Sequence, residues 1–457
     1  MATSTVSTTA VTAAEAMDPA EALMAAVERA DAEIVRFLWV DHNGILRGKG
    51  VTRELLADRL RTGIGLSAVR QSASLLDRPQ PVPGFQVMEE VRVTADPSTF
   101  VPLPYAPGSA GLLCDLVNRD GSPWGACPRT FLRDAVARSA DLGFDVIAAF
   151  EPEFTLLRDG APLDDSLMLD GEGFDAANDC IVSLIRSLRS AGIAVEQYHP
   201  EASPGQHELT LRPAPALRAA DQHVWQRAFT RGVARAHGLQ ASFAPVPLAG
   251  LRGNGNHVHI SLWRGGNAFC APGGGLSEVA RHFIGGVLAH LPGLTALLCA
   301  SVNSYERLVP GNWAGTFGCY GPDNRDAAIR VPSPLRGAET ATTNIEVKVC
   351  DATANPYLAL GAILHAGLDG LEHRIDPGEP LTVDPNLLSA AELLRRGVIP
   401  LPRSLAEAVE ALERDELLMS VLGSPRRELY TTIKRADVRD LGGMDPGDVF
   451  ALHAQRF

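Results

Sequence analysis

The feature that most restricts how this chain can fold is Glu151-Pro152-Glu153, at the end of a strand pattern over residues 144–150. Residues i and i+2 of a strand point to the same face, so both carboxylates can meet one site. The pattern recurs along the chain. His257-Val258-His259 puts two imidazoles on one face of a strand expected over residues 257–263. Glu346 lies on a strand expected over residues 345–349, with Lys348 two residues on. Glu201 and Glu208 frame the turn Ser203-Pro204-Gly205-Gln206, which would fold the second carboxylate back beside the first. These acids and imidazoles lie on strand patterns, whereas the chain's other acids fall mostly on helices and in loops. Hard oxygen donors suit Mg²⁺ or Mn²⁺, and two such ions can bridge and neutralise nucleotide phosphates. Taken singly, each motif has an ordinary reading. A Glu-x-Glu pair serves as a solvated strand face, a His-x-His pair as core histidines with satisfied hydrogen bonds, and Glu346 with Lys348 as an ion pair.

The remaining pattern is α+β. Residues 1–17 are rich in Ala, Thr and Ser and are expected to be disordered. Asp18-Pro19 offers an N-cap and a first-turn proline ahead of a helix expected over residues 20–30. Residues 34–40 read as a strand, which Asp41-His42-Asn43-Gly44 turns into a hairpin. Strands and turns continue to about residue 116, and the Gly- and Pro-containing stretch 118–128 marks a boundary. Beyond it, helices expected over residues 129–141 and 221–237 alternate with the strands above. The expected division is a tail (1–17), a small N-terminal domain (18–118) and a large α+β domain (119–457) built on antiparallel strands.

Composition excludes several classes. The 457 residues carry a net charge of −13 with no Lys/Arg-rich stripe, so no nucleic-acid partner is expected. The longest apolar runs, such as residues 294–300, are too short to span a bilayer. No basic segment precedes an apolar block at the N-terminus, so no secretory signal is expected. The seven cysteines form no C-x-x-C pair and fit reduced thiols in a cytoplasmic protein.

Six blocks, taken in order, carry a resemblance. They are Glu-Pro-Glu-Phe from Glu151, the run from His199 to Glu208, Gly-Asn-Gly-Asn-His-Val-His ending at His259, the loop Asn303-Ser304-Tyr305 through Ala314, the run from Asn324 to Arg330, and Asn355-Pro356-Tyr357-Leu358. Over roughly residues 31–435 the chain resembles the glutamine synthetase family of ATP-driven carboxylate–amine ligases. The resemblance implies a small β-grasp-like N-terminal domain and a large catalytic domain whose antiparallel sheet lines the active site. It implies that Glu153, Glu201 and Glu208 hold one Mg²⁺ or Mn²⁺ ion, that Glu151, His257 and Glu346 hold a second, and that His259 faces the ATP phosphates. Arg325 and Arg330 match phosphate-facing arginines. Arg307 matches a substrate-facing one, and Gly253 falls in the substrate pocket. Guanidinium forks suit both carboxylate and phosphate. Asp41 matches an aspartate that takes the amine's proton across a subunit interface, although it reads equally well as a hairpin-turn residue. The implied assembly is a homo-oligomer, a dodecamer of two hexameric rings, acting on glutamate and an amine.

The chain departs from the family pattern at four positions. Ammonia-using members carry a Glu in the 303–314 loop where this chain has Trp313. The swap removes an acid and adds an aromatic wall, which suits apolar surface or a cation over its face. It reads as a γ-glutamyl-amine ligase acting on a polyamine, ethanolamine or a similar amine, or else as a lid that only packs the loop. Arg252 replaces a glutamate-pocket Asn, Asn344 a phosphate-facing Arg, and Lys348 a substrate-facing Arg. These swaps keep open a different acid substrate, an ammonia-using enzyme and a non-catalytic member.

Overall fold

Asp18 caps the first helix, Pro19–Arg29, by accepting from the Ala20 N–H, and Leu23 and Val27 turn its apolar side inward. The structure, a computed structural model, describes residues 18–457, so the disorder expected for residues 1–17 lies outside the described residues. The hairpin follows as the turn residues require. Ile34–Val40 pairs antiparallel with Leu46–Thr52, and Gly44 takes the left-handed φ of 73° that closes the turn. Ile34–Val40 also pairs in parallel with Ser109–Val117, and the result is a six-stranded sheet. A helix, Leu56–Thr62, interrupts what reads in sequence as strands and turns.

The second sheet has eleven strands, and Asp145–Arg158 is its spine. Its path runs from Phe317–Pro322 through Ala327–Val331, Ile345–Val347, Asn256–Trp263, the spine and Gln206–Leu211 to Val195–Pro200. Every pairing along that path is antiparallel except the one between Phe317–Pro322 and Ala327–Val331. The helices Pro128–Asp141, Ala216–Ala236, Glu278–Leu298 and Pro356–His373 contribute buried apolar side chains to the same large core. None of the helices among the described residues is long and apolar enough to cross a membrane.

The spine continues eight residues beyond the strand expected over 144–150, straight through Pro152. Peptide N–H groups alternate sides along a strand. That of Glu153 donates to the Gly255 carbonyl, so the donor missing at Pro152 faces the opposite side. There the pairing with Gln206–Leu211 begins only at Glu153, and the proline interrupts no ladder bond.

The two sheets meet at the hairpin. Asn355 caps Pro356–His373 with its side-chain oxygen and donates through Nδ2 to the Asp41 carbonyl. Lys434 Nζ donates to Asn43 Oδ1 at 2.8 Å, and Asp437 accepts from the Leu75 N–H. The small sheet is thereby fastened to the C-terminal helix Arg426–Leu441, whose Leu429 and Ile433 enter its core.

Candidate active site

Strand register assembles the site. Glu151 is cross-strand partner to His257, Glu153 to Glu208, and Glu208 in turn to His199. His259 is opposite Glu346, which is opposite Arg330. Directly opposed residues on one sheet face lie within side-chain reach. Glu201 follows its strand immediately, and its N–H donates to the Gln206 carbonyl across the turn, where Gly205 has φ 66°.

The side chains converge accordingly. His259 Nε2 lies 2.7 Å from Glu151 Oε2, and His257 Nδ1 lies 3.2 Å from Glu346 Oε1. His199 Nε2 lies 3.0 Å from Glu201 Oε1 and 3.8 Å from Glu208 Oε1. Three donor sets have atoms within 4.8 Å of one another: Glu151 with His259 and Glu346, Glu151 with Glu208 and His257, and His199 with Glu201 and Glu208. These sets interleave, whereas the resemblance implies two separate triplets. Glu153 stands slightly apart because its Oε2 already accepts from Gln206 Nε2 at 2.8 Å and from the Gly255 N–H at 2.9 Å. Its Oε1 lies 3.8 Å from His257 Nε2.

The electrostatics suit a cation. Burial pushes Glu208 well above the usual carboxylate range, and the charges of Glu151, Glu153 and Glu201 add to the shift. Burial also raises Glu153, against the pull of His257. Burial opposes ionisation of Glu151 as well, but its bonds to His257 and His259 hold it well below the usual range. Glu346 is pushed up by burial and pulled down further by Lys348 and the two imidazoles, to about 2. For His259 burial works against the proton, but Glu151 outweighs it and raises the imidazole to about 9. Crowded carboxylate and imidazole donors of this kind fit a divalent oxygen-seeking ion.

Gly255 shows how tight the cradle is. A Cβ there would lie 2.6 Å from His257 Nε2, 2.9 Å from Arg307 Nη2 and 3.0 Å from Glu153 Oε1. Gly255→Ala is therefore expected to displace these groups and cut turnover by roughly 10²-fold. Steady-state phosphate release, with Tm measured alongside, checks this.

All the sequence-expected site residues except Asp41 and His259 line one cavity of about 560 Å³. They include Gly253, whose carbonyl accepts from Gln206 Nε2, and the cations Arg307, Arg325, Arg330 and Lys348. Arg330 Nη1 donates to Glu346 Oε2 at 2.8 Å, and Lys348 Nζ to Glu346 Oε1 at 3.0 Å. Arg307 is buried, with Nη2 3.4 Å from His257 Nε2. His259 lines a second cavity of about 420 Å³, together with Asn344, 2.9 Å from its Nδ1. Glu151 lines both cavities. Arg252 lines only the first, so it does not take over the charge missing at Asn344.

Trp313 lines the larger cavity with a left-handed φ of 56°, and its N–H donates to Asp326 Oδ1 at 3.1 Å. The Arg325 guanidinium sits 5.3 Å from its ring centroid. Asp41 lies outside this cavity. Its Oδ1 accepts from the Asn43 and Ile45 N–H groups, and its Oδ2 pairs with Arg47 Nε at 2.8 Å. Two contributors escaped the sequence reading. His199 sits two residues before Glu201, and the i, i+2 rule applied once more would have found it. Gln206, which orients Glu153, gave no such signal.

Residues 21–124 match the glutamine synthetase N-terminal domain and residues 125–444 the glutamine synthetase catalytic domain. The chain is 36% identical over 433 residues to the gamma-glutamylpolyamine synthetase GlnA3 of Streptomyces coelicolor, covering 92% of each chain. It is also 36% identical over 401 residues to the glutamine synthetase of Pyrococcus furiosus, covering 86% of this chain and 87% of the other. Among solved structures, it is similar to a novel glutamine synthase homolog (TM-score 0.84, 35% identity, 93% of this chain and 99% of that one). A GmaS–ADP complex is also similar, with TM-score 0.82, 31% identity and coverage of 93% and 97%.

Proposed function

We propose, for a chain that belongs to the glutamine synthetase family, that it joins the γ-carboxylate of glutamate to a small organic amine with ATP as the second substrate. A carboxylate is a poor electrophile because its charge is shared by two oxygens. Transfer of the γ-phosphoryl of ATP to a carboxylate oxygen makes an acyl phosphate. The amine nitrogen then forms the C–N bond as the C–O bond to phosphate breaks, and the nitrogen gives up a proton. The transferring phosphoryl needs fixed cations around its oxygens.

In this reading Glu151, Glu153, Glu201, Glu208, His257 and Glu346 would hold divalent ions, with His199 beside Glu201. Such ions supply positive charge for the nucleotide phosphates. Arg325 and Arg330 would face the transferred phosphoryl, and His259 the ATP phosphates from the second cavity. Arg307 and Gly253 would position the acid. Lys348 is bonded to Glu346, so it would act by orienting that carboxylate as much as by touching substrate. The two oxygens of Asp41 are engaged in its own hairpin. Its proton-accepting role would be exercised in a neighbouring copy's cavity, in the ring assembly the family implies.

The observation that carries the choice of amine is Trp313. It sets an aromatic wall in the cavity where an ammonium pocket would want negative charge and close closure. Overall identity does not separate the readings, since the polyamine and glutamine synthetases quoted above are equally similar. The test is phosphate release by the full chain with ATP, Mg²⁺, glutamate and a panel of ammonium, ethanolamine and longer amines, with products weighed by mass spectrometry. A γ-glutamyl amide of an organic amine is expected. Release with ammonium alone would make the protein a glutamine synthetase. Release only with another acid would reassign the acid side.

A further inference from the structure

Among the described residues, seven other than glycine adopt a left-handed φ. Four of these are Asp, which tolerates that region, and Arg374 follows a helix C-terminus, where it is common. The other two are large and apolar, Leu169 (φ 61°) and Trp313 (φ 56°), and both line the 560 Å³ cavity. A bulky residue held there carries strain that the surrounding structure must enforce, and such strain gathers at ligand sites.

The turn around Leu169 shows the enforcement. The Asp170 N–H donates to the Leu167 carbonyl, which closes a four-residue turn with Leu169 third. A positive φ at that place ordinarily selects Gly or Asn. The Leu169 N–H donates to the Pro200 carbonyl, one residue before Glu201, so the turn is tied to the carboxylate cluster. Met168 lines the same cavity. Met168, Leu169 and Trp313 keep 37%, 59% and 43% of their surface exposed, an apolar rim around a polar floor. Every acid lining the cavity belongs to the buried cluster of Glu151, Glu153, Glu201, Glu208 and Glu346. The charged groups left for the rim are Arg252 and Arg325.

We infer that Met168, Leu169 and Trp313 form the amine's specificity wall, and that the preferred amine carries one ammonium on an apolar chain rather than a second cation. This rests on the ligase reading above and narrows it. A distal ammonium would meet arginines and alkyl groups at the rim, with no carboxylate to receive it. A methylene chain would lie against the Leu, Met and indole surfaces. The attacking nitrogen and the acyl phosphate are unchanged by this choice, so only the tail of the amine discriminates.

The test is kcat/KM for n-alkylamines of one to six carbons, with n-pentylamine set against putrescine, its near-isostere with a second ammonium. Burial predicts a rise of roughly fourfold per methylene, and n-pentylamine preferred over putrescine by at least about tenfold. Leu169→Asn and Leu169→Gly both accept a left-handed φ, so folding should survive, and Tm checks it. Either variant, and Met168→Ser, should flatten the chain-length slope. Putrescine preferred over n-pentylamine, or a slope unmoved in the variants, overturns the inference while leaving the ligase reading intact. A changed oligomeric state in the Leu169 variants with an unmoved slope also overturns it, because the turn would then serve subunit contact. Release with ammonium alone overturns both.

Discussion

Glu153→Gln is expected to give a folded protein that releases phosphate on the order of 10³-fold more slowly. The two oxygens of this carboxylate have different partners. Oε2 accepts from Gln206 Nε2 and the Gly255 N–H, and Oε1 turns toward His257 and the cavity. A glutamine can place its carbonyl oxygen where Oε2 was and keep both bonds. Its NH₂ then replaces Oε1, so a cation-binding oxygen becomes a donor. Glu153→Ala should also stop turnover, but it orphans both buried donors and costs about 1–3 kcal/mol of stability as well. The comparison separates chemistry from folding. Phosphate release and thermal unfolding, each followed over a Mn²⁺ titration, are the measurements. Near-normal turnover in Glu153→Gln would remove Glu153 from the cation set.

Trp313→Glu is expected to lower kcat/KM for the organic amine relative to ammonium by roughly 10²-fold. The indole contributes apolar surface and an aromatic face, and the carboxylate would replace both with a charge that favours a small cation. The backbone is not the obstacle, because φ 56° is about as unfavourable for Glu as for Trp. Arg325 complicates the exchange. It lies over the indole and would pair with the new carboxylate, drawing it away from the ammonium. Trp313→Gln therefore belongs beside it, since it removes the ring without adding charge. An unchanged amine profile in both variants would reduce Trp313 to packing of its loop.

What could be read from the chain was local in origin. Alternation along a strand placed Glu151 with Glu153 and His257 with His259, and the Pro-Gly turn brought Glu208 back toward Glu201. Turn and cap chemistry at Asp18, Gly44 and Asn355 marked the element ends because those preferences act within a few residues. The ordered blocks pointed to the family for the same reason, each being contiguous. Tertiary pairing decided the rest. It set His257 against Glu151 and His199 against Glu208, which makes the donor sets interleave. It gave the second oxygen of Glu153 to Gln206 and Gly255, placed Arg252 and Asn344 in different cavities, and brought the Leu169 turn to the same rim as Trp313. Those facts depend on register between strands distant in the chain, and register is selected by burial of the whole sheet face, a sum over many residues that no short stretch carries.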